Sequence, residues 1–260
     1  MPDPPSSPFD ALASGYDASF TRSVVGTLQR RAVWRHLDAA FAPGDRVLEL
    51  GCGTGEDAVH LGRRGVRVLA TDASQEMVEA ARQKVHAADL AAVVEVRRLA
   101  LEELAQLAEP PFDGAFSNFG GFNCVRDLRG PAGDLAALLA PGARLFLCVM
   151  GPLVPWEWAW YGLRLKPGRA CRRLKPGGTV WRGLPIHYPS IGSVKRAFAP
   201  AFRARRAVAI GALLPPSYAE PWAQRHPRLL DRLDRWERRW ETLPPLPWLA
   251  DHYLLELERR

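Results

Sequence analysis

The sequence predicts an α/β fold, a parallel sheet with helices on both of its faces. Three observations carry this. Short apolar runs alternate with helix-compatible stretches across residues 46–150, a glycine-rich turn (ELGCGTG) follows the first run, and an acid, Asp72, closes the second.

After the Pro/Ser-rich start, FDALASGYDASF and TLQRRAVWRHLDAAF both have a helical pattern. In the second, Leu28, Val33, Leu37 and Phe41 recur near helical spacing, and Ala42, Pro43 and Gly44 stop it. RVLELG (46–51) reads as the first strand and GEDAVHLGRRG as a helix ended by Gly65. VRVLATD (66–72) is the second strand, and SQEMVEAARQKVHAADL is a helix with Ser74 as its N-cap. AVVEVRRL (92–99), FDGAFSN (112–118) and ARLFLCVM (143–150) continue the strand series.

After Gly151 the rhythm breaks. PLVPWEWAWYGLRLKPGRACRRLKPGG mixes aromatic with basic residues, TVWRGLPIHY alternates like an exposed strand or hairpin, SIGSVKRAFAPAF reads as a return helix and RARRAVAIGALL (203–214) as a strand. In HPRLLDRLDRWERRWETL (226–243), Leu229, Leu233, Trp236, Trp240 and Leu243 fall on one face of a helix, so Trp236 and Trp240 are expected to pack it onto the core. DHYLLELER (251–259) is the closing strand.

A chain of 260 residues suits one decorated domain, and 47% hydrophobic with 24% charged residues is an ordinary globular composition. There is no apolar run of about 18 residues and no basic-then-apolar leader, so a membrane span and a secretory signal are disfavoured and the cytoplasm is the expected compartment. Cys52, Cys124, Cys148 and Cys171 lie far apart without a CxxC or Cys/His cluster, which disfavours a disulfide framework and a metal site. The net charge of +7 is uneven: residues 1–155 carry 15 Lys and Arg against 19 Asp and Glu, residues 156–260 carry 20 against 9, and eight of the nine tryptophans lie in that basic half.

The turn between Val47 and Leu61 carries the chemistry. Gly51, Gly53 and Gly55 permit positive φ and let backbone N–H groups approach a ligand closely. A dinucleotide loop would place a third glycine where Glu56 stands, and the lysine of a triphosphate loop is missing. Glu49, two residues before the first glycine, would repel a pyrophosphate and suits a cationic ligand, and Asp72 can accept from both hydroxyls of a ribose.

With these residues the segment resembles the S-adenosylmethionine (SAM) motif of the class I methyltransferases, a likeness running over roughly residues 9–151. The resemblance implies a Rossmann-like sheet of seven strands, mostly parallel with the last antiparallel, helices on both faces and a Trp/Arg-rich cap formed by insertions. It implies one domain over 1–260: lid helices at 1–42, a cofactor-binding core at 43–151, acceptor-side insertions at 152–198 and 215–247, and closing strands at 199–214 and 248–260. SAM would be the cofactor and S-adenosyl-L-homocysteine its product.

The same resemblance places Gly51, Cys52, Gly53, Thr54 and Gly55 at the methionine end, Glu49 near the amino group and Asp72 on the ribose. It sets Ala73 and Met77 against the adenine with Ala100 and Leu101 at its edge, and Ser117, Asn118 and Phe119 toward the sulfur that bears the methyl; Asn118 also reads as a turn residue. The F-D-x-x-A-x-x-Y-D pattern of Phe9, Asp10, Ala13, Tyr16 and Asp17 matches a lid in which Tyr16 reaches the methionine carboxylate or serves as a helix-core tyrosine.

Relatives build the acceptor site from N-terminal helices and late insertions. Here Trp156, Trp158, Trp160, Tyr161 and Tyr188 would wall a pocket for a small, largely apolar acceptor, and His187 is the best-placed histidine should a base be needed. The arginines of GRACRRLK and FRARRAV could meet an anionic acceptor, an anionic membrane surface or RNA, or be solvated surface, and the i,i+4 pairs Asp231–Arg235 and Asp234–Arg238 already occupy part of the charge. An RNA methyltransferase and a SAM-binding regulator are the alternatives. Against RNA, the strand-four segment reads SNFGGFNC rather than Asn/Asp-Pro-Pro-Tyr/Phe, and no RNA-binding module is evident.

Overall fold

The computed structural model describes residues 9, 10, 15, 17 and 21–260. Among them the strands are β1 (Arg46–Leu50), β2 (Arg67–Asp72), β3 (Val94–Arg98), β4 (Phe112–Ser117), β5 (Leu139–Met150), β6 (Thr179–Trp181), β7 (Leu184–Ile186), β8 (Phe202–Ile210) and β9 (His252–Arg259). The helices are α1 (Val24–Ala40), α2 (Glu56–Gly62), α3 (Gln75–Ala87), α4 (Arg129–Leu138), α5 (Pro155–Gly162), α6 (Pro167–Ala170), α7 (Ile191–Phe198), α8 (Glu220–Ala223) and α9 (Pro227–Trp240).

Seven strands make one sheet in the order β3-β2-β1-β4-β5-β9-β8, while β6 and β7 pair as the expected hairpin. Strands β1 to β5 are parallel, and β9 runs against both β5 and β8. The ends Leu50, Asp72, Ser117, Met150 and Ile210 therefore reach one edge of the sheet, and β9 starts from that edge at His252. In an open α/β sheet this is where a ligand sits.

The two-residue period of the strands sorts side chains into two layers. Leu48, Leu50, Leu69, Leu145, Leu147, Tyr253 and Leu255 face α4 and α7, where Leu135, Val194 and Phe198 meet them. Val47, Val68, Ala70, Phe146, Cys148 and Leu254 face the other way, onto Val33 and Leu37 of α1, Val59 and Leu61 of α2 and Val78 of α3. Ser74 caps α3 through a bond from the Met77 amide, as its sequence position predicts. All four cysteines are free thiols.

Two expectations are corrected. Strand β5 begins at Leu139, directly after α4, because Phe112 of β4 pairs with Leu139 across a register shift that takes in Pro141 and Gly142. The larger correction concerns α9: Trp236 and Trp240 do not pack onto the core but stand 58% and 45% exposed. The helix is oriented by Leu230, which joins Val25, Leu214 and Ala223, and by the buried Glu237, whose carboxylate accepts from the Gly211 and Leu213 amides at 2.7 Å each. Two backbone donors just beyond β8 need acceptors, and meeting them turns the apolar stripe outward. Of the two pairs expected on this helix, Asp234–Arg238 forms at 3.6 Å; Asp231 and Arg235 make no ion pair among the described residues.

Candidate functional site

At the end of β1 the chain passes through three left-handed glycines, Gly51 (φ 68°), Gly53 (φ 53°) and Gly55 (φ 77°). That conformation is costly for any residue with a Cβ. Gly55 also allows close packing: a Cβ there would lie 2.9 Å from that of Ala81 in α3. The Gly53 amide donates to the Asp72 carboxylate at 2.8 Å and the Ser74 amide to its other oxygen at 2.9 Å, so the acid at the end of β2 is aimed beside the turn. Burial raises the Asp72 pKa against the opposing pull of these amides.

Glu49 lies beneath the turn, 1% exposed, and its Oε2 has no hydrogen-bond partner. Burial, with the nearby Asp57 carboxylate second, raises its pKa well above the usual range. Asp57 differs. It pairs with Arg30 at 2.6 Å and accepts from Trp34 Nε1 at 2.6 Å and Asn118 Nδ2 at 3.0 Å. Burial pushes its pKa up, but the Arg30 charge and these bonds outweigh that and hold it low. Of two adjacent buried carboxylates, one has a protein cation and the other lacks a partner for one oxygen, which fits a site whose ligand brings a positive charge.

Around the turn, Cys52 is buried and its amide donates to the Thr71 carbonyl at 2.9 Å. Thr54 Oγ1 donates to Asp17 at 2.6 Å, Lys84 bridges Asp17 and Glu56, and Asp10 accepts from Ser74 Oγ at 2.5 Å. Asp17 is thus fastened to the glycine turn and to Lys84 of α3, and Asp10 to Ser74 at the start of that helix. Tyr16 and Ala13 lie outside the described residues. Beside Asp72, Ala73 is exposed and Met77 buried, and the Leu99 amide donates to the Asp72 carbonyl, drawing Ala100 and Leu101 to the same end.

Past β4, Ser117 Oγ donates to the Leu50 carbonyl at 2.8 Å and the Asn118 amide is committed to Asp57, so both side chains tie the turn together. Phe119 adopts φ 52°, rare for a bulky residue and a mark of local constraint. Its ring meets His252 edge-on at 5.4 Å.

Sequence reasoning missed the polar network behind that contact. Asp251 bonds Arg173 at 2.6 Å and lies 3.1 Å from His252 Nδ1, and Arg173 also reaches the buried Glu157 at 2.7 Å. Burial works against the Asp251 charge, but Arg173 and His252 hold its carboxyl far below the usual range. The adjacent Asp and His opening the closing strand are the one sequence feature that pointed here.

The structure brings the candidate acceptor residues to the same edge. Trp156 Nε1 donates to the Leu213 carbonyl at 3.1 Å, Trp158 is half-buried, Trp160 and the buried Tyr161 meet Tyr218 at 5.8 and 5.3 Å, and Tyr188 lies under Arg173. The His187 backbone is clamped by Asn123 through bonds of 2.7 and 2.6 Å, and Asn123 Oδ1 also accepts from the Met150 amide, which fixes His187 next to the ends of β4 and β5. The FRARRAV arginines are taken up elsewhere: Arg203, Arg205 and Arg206 pair with Glu256 and Glu258 across the β8–β9 ladder.

Comparison with known proteins agrees with this geometry. Residues 47–142 match the family model described as a methyltransferase domain. The demethylmenaquinone methyltransferase of Clavibacter sepedonicus is 32% identical over 162 residues, covering 61% of this chain and 63% of that protein. The tRNA 5-carboxymethoxyuridine methyltransferase of Escherichia coli K12 is 27% identical over 143 residues, 54% of each chain. The matches thus span less than two thirds of the length of these relatives.

Among solved structures, a SAM-dependent methyltransferase from Mesorhizobium loti superposes with a TM-score of 0.57 at 21% identity, covering 90% of this chain and all of that one. The geranyl diphosphate C-methyltransferase of Streptomyces coelicolor A3(2), solved with Mg2+, geranyl diphosphate and S-adenosyl-L-homocysteine, superposes at 0.58 and 15% identity, covering 100% and 86%. At such identities the likeness is one of fold.

Proposed function

We propose that this chain, which carries the class I SAM-dependent methyltransferase domain, is an enzyme that transfers the methyl group of SAM to a small, largely apolar acceptor. One observation carries the reading: the buried Glu49, with its Oε2 short of a partner, meets the left-handed glycine turn and the amide-anchored Asp72 at the sheet edge from which the Trp-rich α5 follows β5. SAM, when bound, supplies an electrophilic methyl on a sulfonium. In this reading Glu49 answers the positive charge of the methionine end, and Asp72 keeps lone pairs for the ribose hydroxyls beyond those its two amides use. Ala73, Met77, Ala100 and Leu101 flank the adenine.

Methyl transfer asks the protein chiefly for alignment and exclusion of water. Trp156, Trp158, Trp160, Tyr161 and Tyr188 form the acceptor wall, and Phe119 lies against Arg30 and His252. Where the acceptor keeps its proton until late, two histidines stand at this edge: His187, with its backbone clamped by Asn123, and His252, whose Nδ1 lies 3.1 Å from Asp251. A lipid-like acceptor accords with the demethylmenaquinone methyltransferases among the relatives. The pairing of the FRARRAV arginines within the sheet takes away part of the positive surface an RNA substrate would use.

The test is calorimetric titration with SAM, followed by transfer of labelled methyl from SAM into cell extracts. Label in the lipid-soluble fraction supports the reading, and label confined to RNA overturns the acceptor class. Binding without transfer to any fraction would leave a regulator.

A further inference from the structure

Helix α9 turns outward what a helix ordinarily hides. Leu229 is 41% exposed, Trp236 58%, Trp240 45%, and Leu243, just past the helix end, 54%. At about 100° per residue, Leu229, Trp236 and Trp240 share an arc of roughly 40°, while the half-buried Leu233 beside them packs with Leu230 against the body. Leu230 and Glu237, which fasten the helix to the body, lie about a quarter-turn to one side. On the other side fall the exposed Arg228, Arg232, Arg235 and Arg239. Arg238 reaches Asp234, but among the described residues none of those four makes an ion pair.

An apolar stripe bordered on one side by protein and on the other by unpaired arginines has few suitable occupants. A second copy joined antiparallel about a two-fold axis would bring identical arginine rows together, and like charges oppose that contact; joined parallel, each arginine row would face the body of the other copy. RNA offers phosphates for the arginines but no apolar medium for two leucines and two indoles. An anionic membrane offers both, since tryptophan and leucine settle at the boundary between headgroups and acyl chains while arginines meet lipid phosphates. No described helix is long and apolar enough to cross a membrane, so such contact would be made from the surface.

We propose that α9 is an interfacial helix that docks the protein on an anionic membrane, with Leu229, Trp236 and Trp240 entering the headgroup boundary and Arg228, Arg232, Arg235 and Arg239 on its phosphates. The helix is well placed for this. Glu237 binds the Leu213 amide, and the carbonyl of the same residue accepts from Trp156, so α9 and the proposed acceptor wall are fixed to one point of the sheet edge. Docking there would present the mouth of the site to lipid-dissolved acceptors. That consequence rests on the proposed function, whereas the docking does not.

The experiment is flotation of the full chain with vesicles of phosphatidylcholine alone and with about one third phosphatidylglycerol, alongside intrinsic tryptophan fluorescence. The expected result is binding to the anionic vesicles, weakened by salt, with a blue shift. Trp236→Ala with Trp240→Ala should lower the partition coefficient about tenfold or more, as should Arg232→Gln with Arg235→Gln and Arg239→Gln. SAM affinity should be unchanged in both variants, showing that they fold.

Absence of binding to anionic vesicles at low salt overturns the proposal, and so does binding equal in wild type and both variants. A dimer dissolved by the tryptophan substitutions would assign the stripe to a second copy. Retention on tRNA that only the arginine substitutions abolish would assign the flank to nucleic acid. Vesicle binding is read without methyl transfer, so its failure is distinguishable from failure of the methyltransferase reading.

Discussion

Arg30 and Asp57 form an ion pair of 2.6 Å with side chains only 7% and 4% exposed, joining α1 to the start of α2 directly behind Glu49. Asp57→Asn keeps the shape and removes the charge that balances Arg30. Breaking one side of a buried pair costs about 3–5 kcal/mol. The urea midpoint should fall accordingly, and an unchanged midpoint would show that Arg30 finds other compensation.

Glu49, whose Oε2 lacks a partner, gives SAM binding a pH dependence. Its pKa is raised by burial and then by Asp57, so the carboxyl keeps its proton to higher pH than usual and must lose it to balance a cation. Affinity for SAM should therefore rise with pH through that raised value, and Glu49→Gln should flatten the profile while weakening binding. The stability linkage has the opposite sign: a raised carboxyl pKa contributes stability below the unfolded value and loses it as pH rises through the folded one. Ligand-free Glu49→Gln should thus lose less stability than wild type on going to alkaline pH. Calorimetry and thermal melts across pH check both statements, and identical profiles in the two proteins would refute them.

Asp72→Ala removes the acceptor of two backbone amides and of the proposed ribose bonds. Loss of two charge-assisted hydrogen bonds should weaken SAM by about 1.5–3 kcal/mol. Calorimetric affinity equal to wild type would remove Asp72 from the ribose.

What is legible in the sequence is what local chemistry determines. Gly51, Gly53, Gly55 and Asp72 sit in short segments whose conformation follows from their own residue types, and the strand alternation is written in apolar runs a few residues long. The pairs Arg30–Asp57 and Arg173–Asp251 are not legible, because each joins elements that meet only after the sheet has formed. The orientation of α9 fails for a related reason. Its period correctly indicates a helix and a stripe, but the direction of the stripe is decided by two backbone donors beyond β8 that Glu237 satisfies.

Glu237 yields a stability prediction of its own. Burial pushes its pKa up to about 7 from the usual 4.5, against the lowering effect of the Leu213 and Gly211 amides. Its contribution is full below the unfolded value and is lost as pH rises through the folded one. The stability of wild type relative to Glu237→Gln should therefore decline between the two values, by at most about 1.4 kcal/mol per pH unit, and level off above. Chemical denaturation at several pH values reads this directly, and a difference constant with pH would contradict it.

The acceptor wall is tested by Trp158→Ala with Trp160→Ala. Both indoles are half-buried on α5, whose place is secured by other residues: Trp156 by its bond to Leu213, Glu157 by Arg172 and Arg173, Tyr161 by burial against Tyr218. The helix should therefore survive, with a stability loss below the roughly 3–5 kcal/mol of a fully buried aromatic. If these indoles line the pocket, the Michaelis constant for the acceptor should rise about tenfold or more, which corresponds to the loss of about 1.4 kcal/mol of binding. SAM affinity should stay near wild type, since Glu49, the glycine turn and Asp72 are untouched. A large fall in melting temperature with normal kinetics in the folded fraction would instead make the two tryptophans packing residues and move the acceptor wall toward Tyr188 and the β6–β7 hairpin.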